Sequence, residues 1–138
     1  MRKLATVAVA AGLFLGGMGV AVADSGWKAI GPMRTDGAEL RAAQYKFWPK
    51  GQNHGGFHLK GALRDVLPDD GHNVYAEVRV EGYDWNRFSG VQKKTVQLDK
   101  VVYDGAAQYT KNARIRVCRD RGTLRPDGCT AINSYHRN

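Results

Sequence analysis

The sequence predicts an all-β protein: a small antiparallel β-sandwich with one disulfide and an extended N-terminal arm. Three observations predict it. Residues 73–82 alternate without interruption, Val74, Ala76, Val78 and Val80 on one face and Tyr75, Glu77, Arg79 and Glu81 on the other. That is the period of a strand with one face in a core and one in water. Turn formers recur between short runs, as in Pro68-Asp69-Asp70-Gly71 and Asp104-Gly105. Beyond Ala43 no segment sustains a helical period.

The elements follow in chain order. Arg2 and Lys3 precede an uncharged stretch from Leu4 to Val22, which closes with Ala21-Val22-Ala23 before Asp24. A positive end, an apolar middle and a small-x-small exit are the features of a secretory signal peptide, so residues 1–23 are expected to be an export leader cleaved after Ala23. No lipobox cysteine follows it, so release outside the cell is expected. Residues 24–37 carry Gly26, Gly31, Pro32 and Gly37 and no clear period. They read as an arm, extended or flexible, with Trp27, Ile30 and Met33 either docked on the domain or waiting for a partner.

Residues 38–138 form the predicted sandwich domain. Ala43, Tyr45 and Phe47 alternate with Gln44 and Lys46, although Glu-Leu-Arg-Ala-Ala at 39–43 also favours a short helix. Residues 49–56 are a loop by composition. Phe57, Leu59 and Leu63 then point one way against His58 and Lys60. After the 73–82 strand, Tyr83 to Gly90 reads as a loop carrying Trp85 and Phe88. Gln92 to Tyr103 contains a strand with Val96 and Leu98 inward. Asn112 to Val117 alternates Ala113, Ile115 and Val117 with Arg114 and Arg116, and Thr130 to Tyr135 is a last short strand.

Without the leader, 115 residues remain, enough for one domain with one core. They carry 19 basic and 13 acidic side chains, a net charge of +6 that favours acidic partners. The charge is spread along the chain, as on an ordinary solvated surface. Cys118 and Cys129 are expected to pair with each other: the chain reads as exported, and the spacing is not that of a Cys-x-x-Cys redox pair. The ten residues between them are rich in turn formers, and closing this loop restricts the unfolded chain by roughly 3 kcal/mol.

Catalytic signals are weak. There is no Gly-x-Ser-x-Gly, no phosphate-binding glycine loop and no His-Glu-x-x-His. His54 and His58 are four apart in glycine-rich surroundings, with His72 further on, which suits solvent-facing histidines better than a metal site. Asp69-Asp70-Gly71 lacks the alternating oxygen ligands of a calcium loop. No cofactor and no metal are expected. A small nuclease would need an acid, a base and cations, for which His58, His72, Glu77, Arg79 and the arginines near Cys118 are the right types. Charged residues on a strand's outer face also arise from alternation alone.

Contact is the stronger expectation. Arg114, Arg116, Arg119, Arg121 and Arg125 gather on the penultimate strand and the bridged loop, and Arg, Tyr and Trp carry binding hot spots. The same arginines could simply protect an edge strand. A disulfide-closed loop can present a rigid recognition surface. An extended arm can add a strand to a partner's sheet edge, with Trp27, Lys28, Ile30, Met33 and Arg34 as its side-chain anchors. The expected partner-binding residues are therefore these five together with Arg119, Arg121 and Arg125.

Segments 58–65 (HLKGALRD), 70–75 (DGHNVY), 79–83 (RVEGY) and 117–122 (VCRDRG), with Cys129, resemble small secreted actinobacterial β-sandwich proteins over roughly residues 57–130. The secreted context, basic balance, arm and single bridge are also similar to the adaptor subunit of umbrella toxin particles, which links a lectin subunit to a repeat-bearing toxin stalk. That resemblance implies a stalk contact through residues 24–37 and a lectin subunit held by the folded domain. The functional expectation is a secreted, non-enzymatic protein-binding module, in its most specific form such an adaptor, with secreted protein partners. An inhibitor of a secreted hydrolase acting through the 118–129 loop is the alternative, and a small secreted nuclease the next.

Overall fold

A computed structural model describes residues 26–138; the predicted leader, Asp24 and Ser25 lie outside the described residues. The sandwich is there, built from ten strands in two antiparallel sheets. In the first sheet, β1 (Lys28–Ile30) and β2 (Met33–Arg34) lie one after the other on the same edge of β3 (Ala38–Phe47). β3 pairs with β4 (Phe57–Asp65), and β4 with β7 (Thr95–Val102). In the second, β5 (Val74–Val80) lies between β6 (Asn86–Ser89) and β8 (Asn112–Arg119). β8 pairs on its other side with β9 (Gly128–Cys129) and β10 (Asn133–His136).

The alternating residues make the core between the sheets. Leu40, Phe57, Leu59 and Leu63 from one sheet meet Val74, Val78, Val80, Ile115 and Val117 from the other, all fully buried. Tyr45, Phe47, Phe57 and Tyr135 extend it as an aromatic cluster, with ring centroids 4.4 Å apart for Tyr45 and Tyr135.

Two open alternatives are resolved and one expectation changes. Over residues 28–34 the arm is part of the first sheet: Ile30 pairs with Ala43, Met33 pairs with Leu40, and both side chains are buried in the domain's own core. The helix considered over Ala38 to Ala43 is strand, because Ala38, Leu40 and Ala43 gain more from the core than alanine-rich propensity offers. Residues 86–89, read as loop, form the edge strand β6, whose Phe88 packs inward.

β3 contains a bulge. Its register with β4 skips between Arg41 and Gln44, where Ala42 adopts a φ of 51°. Before the skip the even positions Ala38 and Leu40 are buried; after it Ala43 is buried and Tyr45 and Phe47 pack on the core. Arg137 closes the far end of the sandwich. Its guanidinium donates to the carbonyls of Trp48, Gly55 and Thr110 at 2.8–2.9 Å and lies 4.0 Å from the Tyr109 ring.

Candidate functional site

The bridged loop is held firmly at its base and open at its tip. Cys118 and Cys129 are directly paired across β8 and β9 and form the disulfide. The Asp127 carboxylate accepts from the Arg121 amide at 2.9 Å and from the Tyr75 hydroxyl. The Asp120 amide donates to the Asn73 carbonyl at 2.9 Å, and the Asp120 carboxylate accepts from the Gly122 amide at 2.8 Å. The Tyr75 hydroxyl holds Asp127 below the usual carboxylate range, assisted by the Arg121 amide. Burial and the bond to Asp127 push Tyr75 far above the usual phenol range, so it stays a donor.

Two of the predicted arginines serve this base. Arg119 donates to Asp70 at 2.9 Å and to Asp36 at 3.4 Å, and Arg121 donates to Asp36 at 3.1 Å. They tie the loop to the β2–β3 turn and do not point to the tip. Residues 122–126 are exposed, and Leu124 is 95% exposed. Arg125 beside it is exposed and has no ion pair among the described residues. An apolar side chain fully in water on a pinned loop was missed in the sequence. The signal was there, as Leu124 is the one aliphatic residue between the two cysteines.

The outer face of the second sheet forms rows across its strands. Tyr75 faces Ser89 and Cys118; Glu77 faces Arg87 and Arg116; Arg79 faces Arg114, which in turn faces Ser134. The expectation that Tyr75 and Glu77 stand in water fails: they are 3% and 5% exposed. Neighbouring strands cover them. Arg116 Nη2 donates to Glu77 at 2.7 Å and Arg87 Nε donates to the same carboxylate at 3.5 Å, while the Arg87 guanidinium lies 3.7 Å from the Tyr75 ring and that of Arg116 lies 4.4 Å from Trp85.

The outer face of the first sheet holds a different group. His58 Nδ1 accepts from Trp48 Nε1 at 3.0 Å, and its Nε2 bonds to Asp99 Oδ1. Since Trp48 can only donate, Nδ1 is bare and Nε2 carries the proton toward Asp99. The bond from His58 holds Asp99 below its ordinary value. Trp27 stands edge-on to His58 at 4.9 Å, with Lys60 over its ring at 4.7 Å.

The predicted residues therefore separate. Trp27 and exposed Lys28 lie with β1 near Tyr45 and His58, Arg34 pairs with Glu39 at 3.4 Å, Ile30 and Met33 are interior, Arg119 and Arg121 sit beside Asp36, and Arg125 stands at the loop tip. The nuclease candidates do not converge either, since His58 and Glu77 lie on outer faces of opposite sheets. His54 lies in the short 3-10 turn Asn53–Gly55, with φ 56°, and stacks on Tyr103 at 4.0 Å, away from any shared site with His58. Among the described residues no three His, Cys, Asp or Glu side chains are grouped to hold a metal ion. No protein-family model, curated protein or solved structure matches this chain.

Proposed function

We propose that the chain works outside the cell as a non-enzymatic protein-binding module, and that the tip of the 118–129 loop, Leu124 with Arg125, is its principal contact. One observation carries this reading: a leucine left 95% exposed on a loop whose base is fixed by a disulfide and four hydrogen bonds. Burying such a side chain in a partner's apolar pocket is worth about 1.5–3 kcal/mol. Because the base is already ordered, little conformational entropy is lost on docking. The disulfide itself supports an oxidising, extracellular setting.

The finer form of the reading is the adaptor between lectin and repeat-bearing toxin-stalk subunits of an antibacterial particle. An adaptor needs two separate contacts. Trp27 and Lys28, at the opposite end of the arm from the Asp36 turn, would supply the second together with residues 24–25. A convex, pinned loop with an apolar tip equally favours inhibition of a secreted hydrolase, with Leu124 entering the enzyme's specificity pocket.

Capture from culture supernatant tests the proposal, with the wild type, Leu124→Asp, and a Trp27→Ala/Lys28→Ala pair as baits. The expected result is a protein partner lost on Leu124→Asp, with affinity falling about 10–100-fold. A hydrolase partner whose activity is blocked would select the inhibitor form; two partners lost separately with the two baits would select the adaptor. Turnover of RNA, or partners indifferent to both baits, would overturn the proposal.

A further inference from the structure

A second feature lies on the outer face of the β5–β8 pair. Arg79 and Arg114 stand directly opposite each other in the register. Like charges placed so oppose sheet pairing. Two residues away along each strand, the arginine Arg116 faces Glu77, so the arrangement is not a general property of this sheet. Among the described residues neither Arg79 nor Arg114 has an ion pair. Arg79 is placed by a 3.5 Å contact to the Gly82 carbonyl and by the Trp85 ring 6.0 Å away.

These two arginines open onto a cleft of about 340 Å³ that also meets Glu81, Asn112, Ser134 and His136. Its cationic donors are the two guanidinium groups. Glu81 keeps its negative charge in the lining, with its Oε1 engaged by the backbone amides of Lys111 and Asn112 at 2.6 and 2.8 Å. His136 Nδ1 is 2.5 Å from the Asn112 side-chain oxygen, which fixes Nδ1 as donor and leaves Nε2 of the neutral ring an acceptor, so the arginines carry the attraction for an anion. Two guanidinium charges against one engaged carboxylate leave a surplus of one positive charge.

We propose that this cleft is a carboxylate-binding site, which holds an acidic segment of a partner protein. A single carboxylate matches the surplus charge and can bridge two facing guanidinium groups. A dianionic phosphate or a polyphosphate would meet the Glu81 carboxylate as well, so the cleft favours the monoanion. The volume admits one or two side chains and no nucleic-acid duplex. The site lies on the sheet face and not on the loop, so its failure would leave the loop reading standing, and the reverse.

The test is titration of the purified, disulfide-bonded chain with a hexaglutamate peptide and, separately, with tripolyphosphate, at low and high salt. Hexaglutamate should bind, and Arg79→Gln and Arg114→Gln should each weaken it by about tenfold. Arg41→Gln, on the opposite sheet, should leave it unchanged. Thermal unfolding is the second readout: Arg114→Gln should keep or raise Tm, because it relieves a like-charge pair, whereas a structural arginine would lower it on removal. Should Arg79→Gln fail to fold, Arg114→Gln alone decides. Absence of hexaglutamate binding, tighter binding of tripolyphosphate, or an equal loss in Arg41→Gln would each overturn the site.

Discussion

Removing the disulfide, as Cys118→Ala/Cys129→Ala, should cost stability chiefly through the unfolded chain. The two cysteines are 11 positions apart. For a loop of that size the chain-entropy relation gives about 2.8 kcal/mol at 25 °C. The folded loop should persist, because Asp127 keeps its two donors, Asp120 keeps its bonds to Asn73 and Gly122, and the β9 pairing is main-chain. Urea unfolding followed by tryptophan fluorescence should therefore show a loss of about 3 kcal/mol, with the m-value equal or slightly larger as the denatured chain expands. The melting temperature should fall by about 10–15 °C for a domain of this size. Beyond the loss of the disulfide's own band, the aromatic near-UV circular dichroism of the native state should not change. A loss below about 1 kcal/mol would mean that the denatured chain is already constrained there, and a changed native spectrum would mean that the bridge shapes the folded loop. Either result would refute the reasoning.

Other expectations follow from single contacts. Ile30→Ala or Met33→Ala should cost about 2–4 kcal/mol in the same unfolding assay, so a deletion through residue 34 tests folding before it tests any partner. Tyr75→Phe should cost about 1 kcal/mol and blunt the acid limb of stability. Asp127 is held below the ordinary carboxylate range in the folded state, so its contribution is complete above about pH 4 and is lost as pH falls through its folded value. An unchanged acid limb in Tyr75→Phe would contradict this. Nitrogen-detected NMR should find neutral His58 protonated at Nε2 alone, and Trp48→Phe should populate both tautomers; a wild-type Nδ1 proton would contradict the Trp48 bond.

Much of this architecture was legible because strands with strict alternation carry their own face assignment. β5, β8 and the inward residues of β4 were plain from Val74 to Val80, Ala113 to Val117 and Phe57 to Leu63. β1 and β2 were not, since each is two or three residues long and contributes one buried side chain, too few to show a period. β6 was lost for a similar reason: three of its four residues are exposed. The buried state of Tyr75 and Glu77 was beyond local reading. Alternation correctly put them on the outer face, but their cover comes from Arg87, Arg116 and Asp127, which are 10 to 52 positions distant. The disulfide was readable from composition and context, whereas the division of labour among Arg119, Arg121 and Arg125 depends on Asp36 and Asp70, which only folding brings near.

The bulge at Ala42 acts as a phase shifter in the third strand. Upstream of it the inward beat falls on even numbers, and downstream on odd ones, so one extra residue lets Leu40 and Tyr45 face the same interior. Deleting Ala42 would restore an unbroken ladder and keep Ala38, Leu40, Ala43, Tyr45 and Phe47 on the inner face, because the remaining residues then alternate without a break. Chemistry at this point is thus more tightly constrained than length: position 42 holds a φ of 51°, which glycine and asparagine adopt most readily, whereas a strand one residue shorter would still bury the same side chains.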